Sequence, residues 1–379
     1  MNSAPGILTT CAACAAPLAH DAPRCVRCKT RYCNSTCQHD HWRRGHKQIC
    51  KKIHRGGNAE QYNADKKCKE AVKVAVEACA EDTKGQTCYI CTEALHWKTK
   101  EGLVRGCACR GTAGFAHVSC LAEQAKILLA EAEENNLGAQ AFNKRWGRWH
   151  SCGLCEQAYH GVVLCALGWA CWKTYLGRPE ETWTRCSAMT QLGNGLSNAD
   201  HDTDALFVQE TELSIMRRIG APESRLLDVQ SNLALTYTAL RMFDQSLHLR
   251  REVYSGNLKL NGEEHQSTLI AANNYANSLM ELQRYGEAQA LMRRTEPMAR
   301  RVLEENNEIT LQMRWSYAAA LYKDPHATLG DLREAVTTLE DTERTARRVF
   351  GSAHPQVLNI GWELRDSQVA LRARELGGA

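Results

Sequence analysis

The chain has 379 residues, of which 44% are hydrophobic and 24% are charged, as expected for a folded protein with a sizeable core. Its first ten residues have no basic start and no apolar run, so they predict no secretory signal. The longest apolar run, 161–172, is shorter than the roughly twenty residues that a membrane-spanning helix needs. We therefore expect neither a secreted disulfide framework nor a membrane span, but a cytoplasmic or nuclear protein.

The 19 cysteines are more informative in their placement than in their number. Fourteen lie in close groupings within two windows of the sequence, and the remaining five stand alone: Cys68, Cys79, Cys165, Cys171 and Cys186. Clustered cysteines in a reducing compartment usually bind metal. Cys68 and Cys79 lie eleven residues apart on a predicted helix, so we expect them to be packing residues.

The formal net charge of +4 depends on the metal state of these cysteines. The first 56 residues carry ten Lys and Arg against only Asp21 and Asp40. Metal-bound cysteines are thiolates, so seven thiolates and two zinc ions contribute about −3 in each window. The whole chain then carries about −2, which makes nucleic acid an unexpected partner.

The first window, 11–50, contains eight candidate zinc ligands: Cys11, Cys14, Cys25, Cys28, Cys33, Cys37, His46 and Cys50. Eight ligands complete two tetrahedral zinc sites without remainder. His46 and Cys50 are four residues apart and share one helical face, which favours His46 over the alternative ligands His39 and His41. The other alternative, ordinary buried cysteines, does not explain three close pairs within forty residues.

The segment YCNSTCQHDHWRRGHKQIC resembles the MYND finger family at its Tyr-Cys, Cys-Gln, Trp and His-Lys-x-x-Cys positions. The resemblance implies interleaved ligand sets: Cys11, Cys14, Cys33 and Cys37 would hold one zinc ion, and Cys25, Cys28, His46 and Cys50 the other. MYND fingers dock short, often proline-rich peptides, and some belong to methyltransferases. No segment here resembles the SET domain that a methyltransferase needs.

The second window, 88–155, again contains eight candidate zinc ligands: Cys88, Cys91, Cys107, Cys109, His117, Cys120, Cys152 and Cys155. Their spacing resembles the RING-CH family, a RING variant with His at the fifth ligand position, more closely than the PHD finger. The resemblance implies that Cys88, Cys91, His117 and Cys120 share one zinc ion, and Cys107, Cys109, Cys152 and Cys155 the other. Four protein ligands leave no open position, so all four zinc ions are expected to be structural.

RING-CH proteins are ubiquitin ligases that hold a ubiquitin-loaded conjugating enzyme. The resemblance makes Ile90, inside the first CxxC, a candidate contact for that enzyme. Two other positions depart from the family, because Gln124 replaces a common Trp and Glu156 replaces a common basic residue. Trp146 and Trp149 are alternative contacts, although Trp149 beside Cys152 is more typical of a packing residue.

The segments between and after the zinc windows are predicted to be helical. A linker, 51–87, contains a helix over 66–81, a second helix begins at Leu121 and runs to Asn135, and a connector spans 156–204. From about Ala205 to 355 the sequence repeats with a period of 42, which lengthens to 47 around 324–330. The segment 356–379 is predicted to be a capping helix and tail.

The segment NNYANSLMELQRYGEAQALMRR resembles the tetratricopeptide repeat in its kinesin-light-chain-like form. The predicted fold class is therefore mainly α, with two small cross-braced zinc modules followed by an α-solenoid of helix pairs. Arginine pairs recur along these helices, at Arg217-Arg218, Arg250-Arg251, Arg293-Arg294, Arg300-Arg301 and Arg347-Arg348. They favour an acidic partner, or alternatively form a solvated face.

No phosphate-binding, dinucleotide-binding or hydrolase motif is present, and we identify no catalytic residue. The sequence therefore predicts a zinc-binding scaffold that binds proteins or peptides. The alternative is a RING-CH-type ubiquitin ligase that binds a conjugating enzyme through Ile90 and recruits its substrate through the MYND finger and the repeats.

Overall fold

The computed structural model describes residues 11–14, 16, 18, 21–352 and 354–377. Residues 1–10, in which we predict no secretory signal, and the last two residues of the predicted tail lie outside the described residues. Within them the chain forms fifteen α-helices and no β-strand: α1 (Ser35–His41), α2 (Lys47–Arg55), α3 (Ala59–Ala78), α4 (Val118–Glu134), α5 (Ala139–Trp146), α6 (Gly161–Tyr175), α7 (Trp183–Asn198), α8 (Asp202–Arg218), α9 (Glu223–Ala239), α10 (Phe243–Asn261), α11 (Gln266–Glu281), α12 (Tyr285–Leu303), α13 (Glu308–Tyr322), α14 (Leu329–Phe350) and α15 (Pro355–Gly377).

The mainly α fold class, with zinc modules followed by a helical repeat array, is confirmed. The chain divides into two compact units, Met1–Ala221 and Pro222–Ala379. None of the helices in the described part of the chain combines the length and apolar content needed to cross a bilayer. The linker helix predicted over 66–81 is α3, Ala59–Ala78. It begins earlier than predicted because the Asn58 side chain caps it by accepting a hydrogen bond from the Gln61 N–H.

The core of the first unit is organised around α6, the longest apolar run in the sequence. Helix α6 packs against α3, α4 and α7, and its side chains Trp169 and Trp172 are buried. An apolar helix without a polar face must be covered on all sides, which the three neighbouring helices achieve here. The longest apolar run of the sequence is therefore part of the core.

Helices α6 and α7 approach each other closely at two glycines. A Cβ atom added at Gly168 would lie 2.9 Å from the carbonyl oxygen of Gln191. A Cβ atom added at Gly195 would lie 2.9 Å from the carbonyl oxygen of Leu164. The absence of a side chain at each glycine lets the backbone of the other helix approach closely, and neither position has room for a larger residue.

The second unit consists of three helix pairs, α9–α10, α11–α12 and α13–α14, followed by α15. The repeat is visible in the backbone, because Arg241 and Gln283, 42 residues apart, both adopt φ 58° in the turns within a pair. The predicted insertion lies between α13 and α14, where the turn is longer than in the other pairs. Helix α14 begins after it with a capping box formed by Thr328 and Asp331.

We predict that Gly168→Ala lowers the free energy of unfolding of the first unit by about 1–3 kcal/mol, although alanine favours helix more than glycine. The added methyl group must push α7 away, since backbone atoms cannot give way like a flexible side chain. Chemical denaturation in zinc-containing buffer would measure the change. Gly147→Ala is the matched control, because nothing lies within 4 Å of a Cβ atom at that position. Equal stabilities for the two variants would contradict the close approach.

Candidate metal centres

The structure brings the sixteen candidate ligands together in four groups of four. The ligand atoms within each group all lie within 4.8 Å of one another. The groups are Cys11, Cys14, Cys33 and Cys37; Cys25, Cys28, His46 and Cys50; Cys88, Cys91, His117 and Cys120; and Cys107, Cys109, Cys152 and Cys155. These are the groupings that the two family resemblances imply.

The distances between ligand atoms in the first module suit a tetrahedral zinc ion. Zinc–sulfur bonds of about 2.3 Å place two sulfur atoms about 3.8 Å apart in a tetrahedron. The Sγ atom of Cys14 lies 3.5 Å from that of Cys33 and 3.8 Å from that of Cys37. In the second group the Sγ atom of Cys28 lies 3.3 Å from Nε2 of His46. Both groups therefore have room for one zinc ion at their centres.

The second module has the same geometry. Nδ1 of His117 lies 3.4 Å from the Sγ atom of Cys91 and 3.6 Å from that of Cys120. The other ring nitrogen, Nε2, donates to the carbonyl oxygen of Ala94 at 3.4 Å, which orients the ring toward the group. In the fourth group the sulfur atoms of Cys109 and Cys152 lie 3.8 Å apart.

The electrostatics of the sulfur clusters favour a cation. Burial acts to raise the pKa of Cys11, but backbone hydrogen bonds from Cys14 and Cys33 outweigh it and lower that pKa to about 6. Hydrogen bonds with the thiols of Cys14 and Cys11 raise the pKa of Cys33 to about 12. One thiolate therefore forms readily and opposes ionisation of its neighbours, and a divalent cation removes that opposition.

The two histidines are suited to bind metal as neutral imidazoles. Burial lowers the pKa of His46 and the pKa of His117, so both rings keep a lone pair free at neutral pH. With four ligands in every group, the predicted four structural zinc sites are confirmed. A closed four-ligand site has no position for water or substrate, so these metal ions build structure and do not catalyse a reaction.

Local structure in the first module directs His46 to its group. The chain turns between α1 and α2 through a wide helical turn in which Gly45 adopts φ +128°, a conformation that favours glycine. The ring of His41 stacks on that of His46 with a centroid distance of 4.8 Å, and Nδ1 of His41 is hydrogen-bonded to the Tyr32 hydroxyl at 3.0 Å. His41, one of the two alternative ligands, is outside the group; its half-buried ring instead supports the ligand His46.

Supporting residues in the second module were not identified from the sequence. The carboxylate of Glu101 accepts hydrogen bonds from the N–H and hydroxyl of Ser119, between the ligands His117 and Cys120. The buried ring of His96 lies 5.4 Å from that of His117. Gly114 has φ +85°, and a Cβ atom there would lie 2.9 Å from the Sγ atom of Cys109. Of these residues, only Gly114 could have been identified from the sequence. It lies in the glycine-containing segment between the ligand pairs Cys107–Cys109 and His117–Cys120.

The remaining aromatic residues of this module form a core cluster. Trp146 and Trp149 are buried against Tyr175, with centroid distances of 5.6 and 5.7 Å. The suggestion that these tryptophans contact a conjugating enzyme is therefore wrong, whereas the suggestion that Trp149 packs is correct. Both tryptophans belong to one hydrophobic cluster, which also contains the isolated cysteines Cys68, Cys165 and Cys171.

Two CxxC loops of the second module lie side by side at its surface. An added Cβ atom on Gly153 would lie 3.8 Å from the Tyr89 hydroxyl, so the loop 88–91 contacts the loop 152–155. Ile90 is partly exposed at the tip of one loop, and Leu154 is 52% exposed at the tip of the other. Glu156, which departs from the family pattern, follows in a left-handed conformation with φ 58°.

The fold and sites define a zinc-finger protein with a helical repeat array. Residues 11–50 match the family model of the MYND finger, and residues 88–136 match that of the RING-variant domain. The second match ends before Cys152 and Cys155, which follow the helical insertion formed by α4 and α5. No curated protein matches the chain.

The solved structures that are similar to this chain include the following three. Two are of kinesin light chain nearly identical TPR-like repeats from Podosopora anserina; they share 19% and 18% sequence identity, with TM-scores of 0.42 and 0.41. They cover 61% and 62% of this chain and 97% and 98% of their own chains. The third is BtubC (BKLC) from P. vanneervenii, with 10% identity, a TM-score of 0.38, and coverage of 69% of this chain and 89% of its own.

We predict that the zinc-loaded chain contains four zinc ions and that Cys120→Ala contains three. Removal of one ligand opens a closed site whose metal contributes on the order of 10 kcal/mol to folding, so that metal is lost during purification. Elemental analysis by mass spectrometry, referred to protein concentration, gives the count. Cys68→Ala is the matched control, because Cys68 is equally buried but belongs to no group, and it should retain four zinc ions. Equal metal content in both variants would refute the third site.

Proposed function

We propose that this protein is an interaction scaffold. Zinc builds two peptide-binding or protein-binding modules, and a helical repeat array follows them along the chain. The observation that carries the proposal is the closure of all four metal groups, each with four protein ligands. Because none of the metal ions has a free position, the modules can act only through the surfaces that they hold in place. We assign the regions as in the sequence analysis, with modules at 11–50 and 88–155 and repeats over 205–355.

The first module exposes apolar side chains, which supports a docking role. Val26, inside the Cys25–Cys28 turn, is 86% exposed, and Trp42 is 40% exposed while its ring contacts that of His46 edge-on. A partly exposed tryptophan that packs against its module is suited to stack on proline rings. The module therefore suits a proline-rich peptide, as its MYND resemblance implies.

The repeat array supports a second binding surface. Helix pairs that stack along one direction present an extended face on which a peptide or partner helix can lie. Six of the eight arginines of these pairs in the second unit are already engaged within it: Arg293 with the Tyr317 hydroxyl, Arg294 with the Tyr254 hydroxyl, Arg300 with Glu305, Arg301 with Glu264, Arg347 with Glu343 and Arg348 with Asn306. A general preference for acidic partners therefore finds little support in these residues.

A RING-CH-type ubiquitin ligase is the second candidate function, and the two adjacent CxxC loops favour it. Ile90 and Leu154 at their tips provide the apolar contact that a conjugating enzyme would need. Against this, Gln124 and Glu156 occupy two further positions of the expected contact, and Trp146 and Trp149 are buried. We place the scaffold first for these reasons. We further propose a cytoplasmic or nuclear location, where thiols stay reduced, and no nucleic-acid partner.

The scaffold role predicts that the full zinc-loaded chain binds proline-rich peptides through Trp42. We expect Trp42→Ala to weaken binding of a fluorescent proline-rich peptide pool at least tenfold, since the stacking face is removed. Fluorescence anisotropy measures the affinity, and zinc content checks that His46 still holds its metal. Trp362→Ala, which removes a 58% exposed tryptophan from the other unit, is the control and should bind normally. Unchanged affinity in Trp42→Ala would remove the MYND finger from the docking role.

The two candidate functions separate in a ubiquitination assay with the full chain and a panel of conjugating enzymes. The scaffold predicts no ubiquitin transfer above the background of the conjugating enzymes alone. Ubiquitin chains formed by the wild type, lost in Ile90→Ala and Leu154→Ala, would establish the ligase instead. Val26→Ala is the matched control, because Val26 is an exposed apolar residue inside a CxxC turn of the first module.

A further inference from the structure

A cavity of about 210 Å³ lies in the first unit beside the buried helix α6. Helices α3, α6 and α7 and the beginning of α8 contribute its lining residues. None of the sixteen zinc ligands lines the cavity, so it is separate from the metal groups. Val74 and His201 line it and are exposed, so the cavity is open to solvent. The scaffold function assigns no role to this cavity.

The inner wall of the cavity is apolar. Trp169, Cys165 and Leu196 line it and are 3%, 4% and 2% exposed. Ala71 and Val162 belong to the same wall. Apolar surface that folding leaves in contact with water is stabilised when a ligand covers it. The inner wall therefore favours the apolar part of a ligand.

The indole N–H of Trp169 is an unused hydrogen-bond donor. Its Nε1 atom makes no hydrogen bond within the part of the chain that the structure describes. Unlike Nε1 of Trp149 and Trp172, it is not among the fully enclosed unpartnered atoms. Because Trp169 lines the cavity, this donor is open to a ligand there. An oxygen atom or the face of an aromatic ring accepts a hydrogen bond from an indole N–H.

The charged side chains of the cavity leave one negative charge without a partner. Nζ of Lys67 lies 3.9 Å from a carboxylate oxygen of Glu70, so these two charges offset each other. The carboxylate of Asp204 has no hydrogen bond and no ion pair with any described residue. It lies in the first turn of α8, where the helix dipole stabilises a negative charge. The cavity therefore favours a cation over an anion.

The thiol of Cys165 is not suited to form a covalent bond with a ligand. Burial and, to a smaller extent, the carboxylate of Asp204 raise the pKa of this thiol to about 12. The thiol therefore stays protonated at neutral pH, and a protonated thiol is a poor nucleophile and a poor metal ligand. The effect of Asp204 on Cys165 also indicates that the carboxylate lies close to the apolar inner wall. The cavity combines an apolar surface with a nearby negative charge.

We propose that this cavity binds a small organic ammonium ion with an aromatic body. The ammonium group pairs with the carboxylate of Asp204, and the ring packs on the wall formed by Cys165, Trp169 and Leu196. Pockets for drug-sized ligands have volumes of roughly 300–1,000 Å³, so this smaller cavity suits a ligand with a single ring. The ammonium group belongs either to a free amine or to the N-terminal residue of a peptide. The proposal does not rest on the scaffold function.

The test measures the affinity of the full zinc-loaded chain for phenethylamine by ligand-detected NMR titration. We expect phenethylamine to bind about tenfold or more tightly than phenethyl alcohol, which has the same ring and no charge, and than phenylacetate, which has the opposite charge. Asp204→Asn should remove this preference for the amine and leave the affinity for phenethyl alcohol unchanged. Asp200→Asn is the matched control, because Asp200 lies in the turn before α8 but does not line the cavity. It should bind all three compounds as the wild type does.

A second variant tests whether the compounds bind in the cavity. Ala71→Met places a flexible side chain in the cavity and should abolish binding of both phenethylamine and phenethyl alcohol. Zinc content and melting temperature show whether this variant is folded. Wild-type affinity in folded Ala71→Met would overturn the proposal, since the compounds would then bind elsewhere. Equal affinities for the amine and the alcohol, unchanged amine affinity in Asp204→Asn, or no binding of phenethylamine would each overturn it as well.

Two peptides that begin with phenylalanine identify the source of the ammonium group. One has a free amino group and the other is acetylated. Tighter binding of the free peptide by the wild type, lost in Asp204→Asn, would support the site with a peptide N-terminus as its ligand. Binding of phenethylamine without binding of either peptide would support the site with a free amine as its ligand.

Discussion

The zinc modules depend on the mutual repulsion of clustered thiolates and its removal by metal. Four sulfur or nitrogen ligands lie within 4.8 Å of one another in every group. Burial acts to raise the pKa of Cys11, but backbone hydrogen bonds outweigh it and lower that pKa, whereas hydrogen bonds with the thiols of Cys14 and Cys11 raise the pKa of Cys33. Without a cation, either the thiols of each group stay protonated or the ligands move apart. With zinc, the same atoms become the strongest crosslinks in segments too short to build a core of their own.

The two modules use this crosslink differently. Cys88, Cys120 and Cys152 belong to the buried cluster that also contains α6 and α7, so the second module is continuous with the core of its unit. The first module has a separate small cluster around Tyr32 and Ile53. Its link to α3 includes the hydrogen bond from the Ala59 N–H to the Cys28 carbonyl. The first module therefore has a small core of its own, whereas the second shares the core of the first unit.

Most of the architecture could be predicted from the sequence because its signals are local. Ligand spacing, helical periodicity and the 42-residue repeat all act over short distances, and the family resemblances supplied the interleaving that spacing alone leaves open. The missed features depend on tertiary contacts. His41 supports His46 only because the turn at Gly45 stacks the two rings, and Trp146 is buried only because α5 folds back against Tyr175. Glu101 and Ser119 are eighteen residues apart in the sequence, and no spacing or repeat pattern links the two positions.

The repeat array supplies an internal reference for distinguishing structural from functional residues. Positions that must be apolar for packing recur as apolar residues along the array, as Leu269 and Leu311 do, both buried. A polar residue at such a position costs stability and requires a different explanation from packing. Arg314 is also buried, and it is neutralised within the unit because Glu296 lies 3.8 Å from its Nε atom. Arg250 lies at such a position, because the residues aligned with it are the buried Met292 and Leu339, and its Nε and Nη1 atoms have no hydrogen bond among the described residues.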